Sequence, residues 1–138
     1  LQIVMKAANV FDKVIIGLAY NSEKQVRIDK EKMKDAIKKT IEEMNLKNVD
    51  VILYDGLTAC EAKKRGANIL IRGLRNGTDY QYEENIAQAN EKIEGLDTCY
   101  FRAGDWGYLS SSLVMELWNN GVNVDKFLPK HVVEILEK

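Results

Sequence analysis

The sequence predicts an α/β domain built around a parallel sheet. Short continuous apolar runs are typical of strands buried on both faces, and segments with apolar residues at helical spacing separate them. The two kinds of segment alternate along the chain, which is the pattern of parallel strands joined by helices. The 138 residues, 46% apolar and 30% charged, are typical of one soluble globular domain with a single core.

The first half of the chain predicts two helices that each precede a strand. Apolar residues on one stripe indicate a helix over 1–9, and the run 14–19 indicates a strand buried on both faces. Asp29 is suited to cap a long helix that ends at Leu46, because its carboxylate can accept from free backbone N–H groups. The apolar run at 49–54 predicts the second strand.

The second half continues the alternation. A short helix over 58–65 is ended by Gly66, and residues 68–71 predict the third strand. A helix follows over 79–94, indicated by a helically spaced stripe: Tyr82, Ile86, Ala89 and Ile93. The fourth strand is predicted at 98–101, with two closing helices at 112–119 and 130–137.

Composition excludes several classes of protein. The net charge of −1 argues against a broadly basic nucleic-acid surface. With Cys60 and Cys99 far apart, a cysteine-rich zinc site and a disulfide scaffold are excluded, and a reducing cytoplasm is the simplest compartment. His131, the single histidine, excludes a two-histidine metal site and makes a Ser–His triad improbable. No apolar run approaches the roughly 20 residues of a membrane span, and the chain does not start as a signal peptide.

Cationic side chains follow three of the predicted strands. In an open parallel sheet, ligands bind beyond the carboxyl ends of the strands, where Lys24, Arg72, Arg75 and Arg102 are expected. Converging arginines suit a phosphate group because their donors form a fork. For each residue taken alone, a solvated lysine or a structural ion pair is the more ordinary interpretation. Gly73 favours a ligand because glycine allows close approach of the backbone.

Two further segments suggest a nucleotide. A serine run, 110–112, precedes a helix whose N-terminus can bind an anion, although plain capping explains it equally well. Trp106 and Tyr108 could stack on a base, although core or lid packing is more common. Glu83 is expected to pair with an arginine, with contact to a ribose hydroxyl as the alternative.

Four motifs give the chain a resemblance to a known family. They are Ile71-Arg72-Gly73-Leu74-Arg75, Asp79-Tyr80-Gln81-Tyr82-Glu83, Trp106-Gly107-Tyr108-Leu109-Ser110-Ser111-Ser112-Leu113-Val114 and Phe127-Leu128-Pro129. In this order and spacing the sequence resembles bacterial phosphopantetheine adenylyltransferase over its whole length. The resemblance implies a single-domain, Rossmann-like, doubly wound parallel sheet.

The resemblance also implies an activity. The family transfers the adenylyl group of ATP to 4′-phosphopantetheine, giving dephospho-coenzyme A and pyrophosphate in coenzyme A biosynthesis. It uses Mg²⁺ and usually forms a homohexamer, so we expect a cytoplasmic enzyme with no nucleic-acid or membrane partner. Two alternatives stay open: a related nucleotidyltransferase with another acceptor, and a non-catalytic regulator that binds nucleotide.

Site residues follow from the resemblance position by position. Arg72 and Lys24 are implied as catalytic residues, and both of them together with Thr58 as ligands of the phosphopantetheine substrate. The implied ATP site is formed by Gly73, Leu74, Arg75, Glu83, Trp106, Gly107, Tyr108, Leu109, Ser110, Ser111 and Ser112. The resemblance gives no protein ligand for a metal.

One family motif does not occur in these 138 residues. The family carries a Thr-x-Gly-His turn after an N-terminal strand, and that strand lies centrally between the strands that begin here near Val14 and Ile69. Without it, both neighbouring strands would face a slot with unpaired backbone groups, which is costly. We therefore expect that residues 1–138 form one nucleotidyltransferase domain and that the natural protein has this segment before Leu1.

Overall fold

The computed structural model describes residues 1–20, 29–104 and 111–137. Its elements are α1 (Gln2–Val10), β1 (Val14–Ala19), α2 (Lys30–Glu43), β2 (Val49–Tyr54), α3 (Thr58–Lys64), β3 (Ile69–Leu74), α4 (Gly77–Glu94), β4 (Asp97–Arg102), α5 (Ser111–Asn119) and α6 (Lys130–Glu137). This order confirms the predicted α/β class. None of the described helices combines the length and the apolar character needed to cross a membrane.

The described strands pair in parallel as two sheets of two strands. β1 pairs with β2, from Val14 opposite Val49 to Ala19 opposite Tyr54. β3 pairs with β4 in the same way, and its carboxyl end lies beside Arg102. Within the described residues, β1 and β3 are therefore each hydrogen-bonded to a single strand.

Helix α1 contacts both strand pairs. Its Ile3 side chain lies against Gly73 of β3, where an added Cβ would come within 3.1 Å of the isoleucine. Phe11, just after the helix, packs edge-on against Phe101 of β4, with ring centroids 6.5 Å apart. Asn48, which precedes β2, donates hydrogen bonds of 2.9 and 3.0 Å to two backbone carbonyls at the end of α1. Helix α1 thus joins the two pairs.

Helix α2 begins where the sequence predicts. The Asp29 carboxylate accepts from the backbone N–H groups of Glu31 and Lys32, at 2.8 and 3.4 Å, and so caps the helix. Thr40 and Ile41, which share helical spacing with Met33, Ile37 and Met44 in the sequence, are buried. The helix ends at Glu43, a few residues before the predicted end at Leu46.

Helix α4 is confirmed, but its buried face is not the predicted one. Tyr82 and Ile93, members of the stripe that predicted the helix, are exposed, while the adjacent Glu83 is buried. The helix starts at Gly77, earlier than predicted, because the Asn76 side chain accepts from the backbone N–H of Asp79 and caps it.

Tyr100 of β4 anchors α4 to the sheet. The Tyr100 hydroxyl of β4 donates to Glu84 at 2.9 Å, and the Tyr80 ring packs against the Tyr100 ring. Burial of the phenol, followed by its hydrogen bond to Glu84, raises the pKa of Tyr100 to about 12. The contact therefore persists across the physiological pH range.

The C-terminal helices enclose a small apolar cluster. Val114, Val124 and Val133 are buried together, and neighbouring apolar side chains cover them. His131 of α6 lies 2.7 Å from a carboxylate oxygen of Glu43 on α2, so that α6 is held against that helix. The histidine thus has a structural partner on α2.

Gly17 provides the first test of the packing. The Tyr54 ring lies over this glycine, and an added Cβ would sit 2.9 Å from the Cε1 atom of the ring. We predict that Gly17→Ala lowers the free energy of unfolding by about 1–3 kcal/mol, the usual cost of overpacking. Urea denaturation followed by circular dichroism measures it.

Gly77 supplies the matched control, because a Cβ there meets no atom within 4 Å. Gly77→Ala should leave the free energy of unfolding unchanged or raise it by up to about 1 kcal/mol. Equal free energies of unfolding for the parent and the Gly17→Ala chain would contradict the packing described.

Candidate active site

The candidate site centres on Arg72, which the structure places within β3 and not after it. The predicted strand ended at Ile71, but pairing with β4 continues to Leu74, so Arg72 lies opposite Tyr100 in the sheet. The sequence did not show this extension because Arg-Gly is an unusual strand ending. The arginine still lies near the carboxyl end of the strand, as predicted.

Arg72 forms a two-point ion pair with Glu83 of α4. Its Nε donates to Oε2 at 2.7 Å and its Nη2 donates to Oε1 at 2.8 Å. The side chain of Glu83 is only 8% exposed, whereas that of Arg72 is 49% exposed. Of the two interpretations of Glu83 left open by the sequence, the ion pair is the one present in the structure.

The surroundings favour the charged form of Arg72. The hydrogen bonds that its guanidinium donates to Glu83 raise the pKa of that group, against an opposing effect of burial. Smaller contributions come from the charge of Glu83 and from the phenols of Tyr54 and Tyr82.

Arg75 is held in a similar way by Asp79, which lies one turn before Glu83 on α4. Asp79 accepts from the backbone N–H of Arg75 at 3.1 Å and from its Nη2 at 3.4 Å. These hydrogen bonds, the backbone one foremost, lower the pKa of the Asp79 carboxyl. Asp79 and Glu83 are four residues apart on α4, so one helix face fixes both arginines of the predicted motif.

Thr58 lies at the start of α3 and is linked to the end of β2. Its hydroxyl is 2.8 Å from the hydroxyl of Tyr54. Tyr54 is the last residue of β2, so this hydrogen bond ties Thr58 to the carboxyl end of that strand. Sequence reasoning missed Tyr54, although its position as the last residue of β2, at the same sheet edge, could have indicated it.

A packing contact that the sequence did not predict explains why residue 73 is a glycine. Its missing side chain gives room for Ile3 of α1, which would contact a Cβ at 3.1 Å. Close approach is therefore required here by a helix of the same chain. Leu74 follows as the last residue of β3.

Part of the predicted site lies outside the described residues. Lys24 and residues 106–110 fall there, which include the aromatic segment and the first serine of the run. Ser111 begins α5, and Ser112 is exposed in the first turn of that helix. The roles of these residues stay predictions.

A cavity lies away from the candidate site, at the other end of β2. An open cavity of about 380 Å³ lies between the end of α2 and the beginning of β2, lined by residues that include Ile41, Leu46 and Val51. It is at the amino end of the strand, opposite the candidate site. Among the described residues, no group of three or more His, Cys, Asp or Glu side chains could hold a metal ion.

Curated proteins similar to this chain include several phosphopantetheine adenylyltransferases. No model of a known protein family matches the sequence. Three curated relatives, each named phosphopantetheine adenylyltransferase, come from Lachnoclostridium phytofermentans, Leuconostoc citreum and Cytophaga hutchinsonii. Their identities to the chain are 37%, 35% and 38%.

The similarity extends over nearly the whole chain. The three alignments cover 99%, 100% and 92% of it, and 83%, 87% and 85% of the respective relatives. Similarity of this level over most of both partners, on an α/β fold with the arginine motif at a sheet edge, identifies the family. The chain belongs to the phosphopantetheine adenylyltransferases.

Proposed function

We propose that this protein transfers the adenylyl group of ATP to 4′-phosphopantetheine, releasing pyrophosphate and forming dephospho-coenzyme A. Family membership supports the reaction. The main structural support in this chain is the position of Arg72, which is half exposed at the sheet edge and is held there by the buried Glu83. An arginine so placed suits the phosphates of both substrates.

The reaction requires positioning more than covalent chemistry. A phosphate oxygen of phosphopantetheine attacks the α-phosphorus of ATP, and the bond from that phosphorus to the bridging oxygen of the β-phosphate breaks. The electron pair leaves with pyrophosphate. Since the attacking oxygen is already a competent nucleophile, alignment and charge neutralisation provide the catalysis.

The side chains divide these tasks in our proposal. Arg72 contacts the phosphate of phosphopantetheine and lies near those of ATP, with Lys24 as a second cation and Thr58 along the pantetheine arm. The remaining segments line the nucleotide site: Gly73, Leu74, Arg75 and Glu83 on one side, and residues 106–112 on the other. Glu83 acts on the nucleotide through its ion pair with Arg72.

Mg²⁺ belongs to the proposed reaction as a companion of ATP. The described residues form no carboxylate or histidine cluster for it, so they do not fit a protein-held metal site. Magnesium commonly binds through substrate phosphates with few protein ligands. We therefore propose that Mg²⁺ binds the triphosphate of ATP and takes no ligand from the part of the chain that the structure describes.

The two separate strand pairs support a further part of the proposal. We propose that a strand belonging to the segment before Leu1 fills the slot between β1 and β3 and brings the Thr-x-Gly-His turn to the site. Such a strand would satisfy backbone groups of β1 and β3 that have no partner among the described strands. The assembled protein is proposed to be a cytoplasmic homohexamer.

Mass spectrometry of the protein from its natural source tests this part. We predict a denatured subunit mass above the 15.7 kDa of the 138 residues, and a native mass six times that of the subunit. N-terminal sequencing should read a Thr-x-Gly-His segment before Leu1. A subunit of 15.7 kDa would contradict the added strand, and a native mass of another multiple would contradict the hexamer.

Replacing Arg72 tests the reaction. We predict that Arg72→Ala lowers the rate of pyrophosphate release from ATP and 4′-phosphopantetheine about 10²–10³-fold, the usual loss for a donor that stabilises developing charge. Arg72→Lys keeps a positive charge beside Glu83 but lacks the forked donors. Its rate of pyrophosphate release should therefore lie between those of the parent and of Arg72→Ala. Unfolding measurements confirm that each variant is folded.

The matched control is Arg65→Ala. Arg65 also pairs with a glutamate, Glu61, but this partner lies one helical turn before it in the same segment. Its removal should leave pyrophosphate release unchanged. An unchanged rate after Arg72→Ala would contradict the proposed role, and ATP binding without pyrophosphate release by the parent would favour a non-catalytic nucleotide-binding protein.

A further inference from the structure

We propose that Glu83 is a positioning residue: it turns the guanidinium of Arg72 so that the outer pair of nitrogens faces an incoming phosphate. The inference deepens the proposed function, since it rests on Arg72 as a phosphate ligand. It gives Glu83 a task different from direct contact with ATP.

The hydrogen bonds leave a defined edge of Arg72 available. A guanidinium has five N–H donors, and Glu83 takes those on the side of the group, at Nε and Nη2. The remaining donors are both hydrogens of Nη1 and the outer hydrogen of Nη2. Nη1 and Nη2 together form a second fork, which matches two oxygens of a phosphate.

Burial shows which partner fixes the other. Glu83 is 8% exposed and belongs to a regular helix, whereas Arg72 is 49% exposed. The helix is itself held by the Asn76 cap and by the contact of Glu84 with Tyr100. The carboxylate is thus a fixed point, and the arginine takes its orientation from it.

A two-point bond also removes the rotational freedom of the guanidinium. An arginine side chain loses considerable rotamer entropy when it binds a ligand. With the orientation set before phosphate arrives, this cost does not fall on the binding step. Pre-organisation of this kind favours phosphate even though the carboxylate carries a negative charge.

That last point makes the proposal testable, because charge alone predicts the opposite effect. The ion pair is formally neutral, so removing the carboxylate charge leaves the guanidinium uncompensated and should attract anions more strongly. If Glu83 orients Arg72, the same change should weaken phosphate binding. The two accounts differ in the sign of the effect.

The experiment is calorimetric titration of the protein with inorganic pyrophosphate, for the parent and for Glu83→Gln. The glutamine keeps the size of the side chain but has one acceptor oxygen, so that only one of the two hydrogen bonds can form. We expect pyrophosphate to bind about tenfold more weakly, which is the usual worth of a charge-assisted hydrogen bond. Equal or tighter binding would overturn the proposal.

Glu84→Gln is the matched control. It makes the same chemical change at the next residue of α4, where the carboxylate holds Tyr100 and not Arg72. Pyrophosphate binding should be unchanged, whereas thermal unfolding reports any general weakening of the helix in both variants. A loss of binding in the control equal to that in Glu83→Gln would indicate a merely structural role and overturn the proposal.

A double-mutant cycle extends the test. In the Arg72→Lys chain there is no fork to orient, so adding Glu83→Gln should change pyrophosphate binding little. Additive losses would show that Glu83 acts independently of Arg72.

If Glu83→Gln fails to fold, Arg72→Lys alone tests the proposal, since the lysine keeps the charge beside Glu83 but has no fork. About tenfold weaker pyrophosphate binding by this variant supports the fork, and equal binding overturns the proposal.

The outcomes separate this inference from the proposed function. A parent that binds pyrophosphate and loses affinity on Glu83→Gln, but forms no dephospho-coenzyme A, supports the positioning role and contradicts the reaction. A parent that forms the product, with equal binding in the variant, supports the reaction and contradicts the positioning role. Absence of pyrophosphate binding in both chains contradicts Arg72 as a phosphate ligand and the inference with it.

Discussion

The fold depends on the packing of α1 across strands from both pairs. β1 with β2 and β3 with β4 form separate two-stranded sheets, and a pair of strands alone is only marginally stable in water. α1 contacts β1, β3 and β4, with Ala7 almost completely buried. Because this helix contacts both pairs, it helps to hold the strand ends that carry the site residues in place.

The candidate site follows from this arrangement. Parallel strands place their carboxyl ends at one edge, so that Tyr54 with Thr58 comes from one pair and Arg72 from the other. α4 then supplies carboxylates to the arginines at a spacing of one turn. The result is two arginines oriented by one helix face, a kind of donor that suits phosphate esters. It is consistent with membership of the phosphopantetheine adenylyltransferases.

The sequence predicted what depends on local chemistry. Helical spacing, apolar runs and the Asp29 cap are set by neighbouring residues, and the pairing of an arginine with Glu83 follows from opposite charges one turn into a helix. It could not predict features that need distant partners. The inclusion of Arg72 in β3 depends on pairing with β4, and the room left by Gly73 is filled by Ile3, seventy positions away. The exposure of Tyr82 could not be predicted from apolar spacing, because the buried position beside it is taken by the charged residue Glu83, which pairs with Arg72 of β3.

Native-state amide hydrogen exchange tests the role of α1 most directly, because it gives a free energy of opening for each strand. If α1 couples the two pairs, the slowest amides of β1–β2 and of β3–β4 should open with the same free energy, equal to that of global unfolding. A β1–β2 pair that opens at a clearly lower free energy, while β3–β4 and α1 stay protected, would contradict the account.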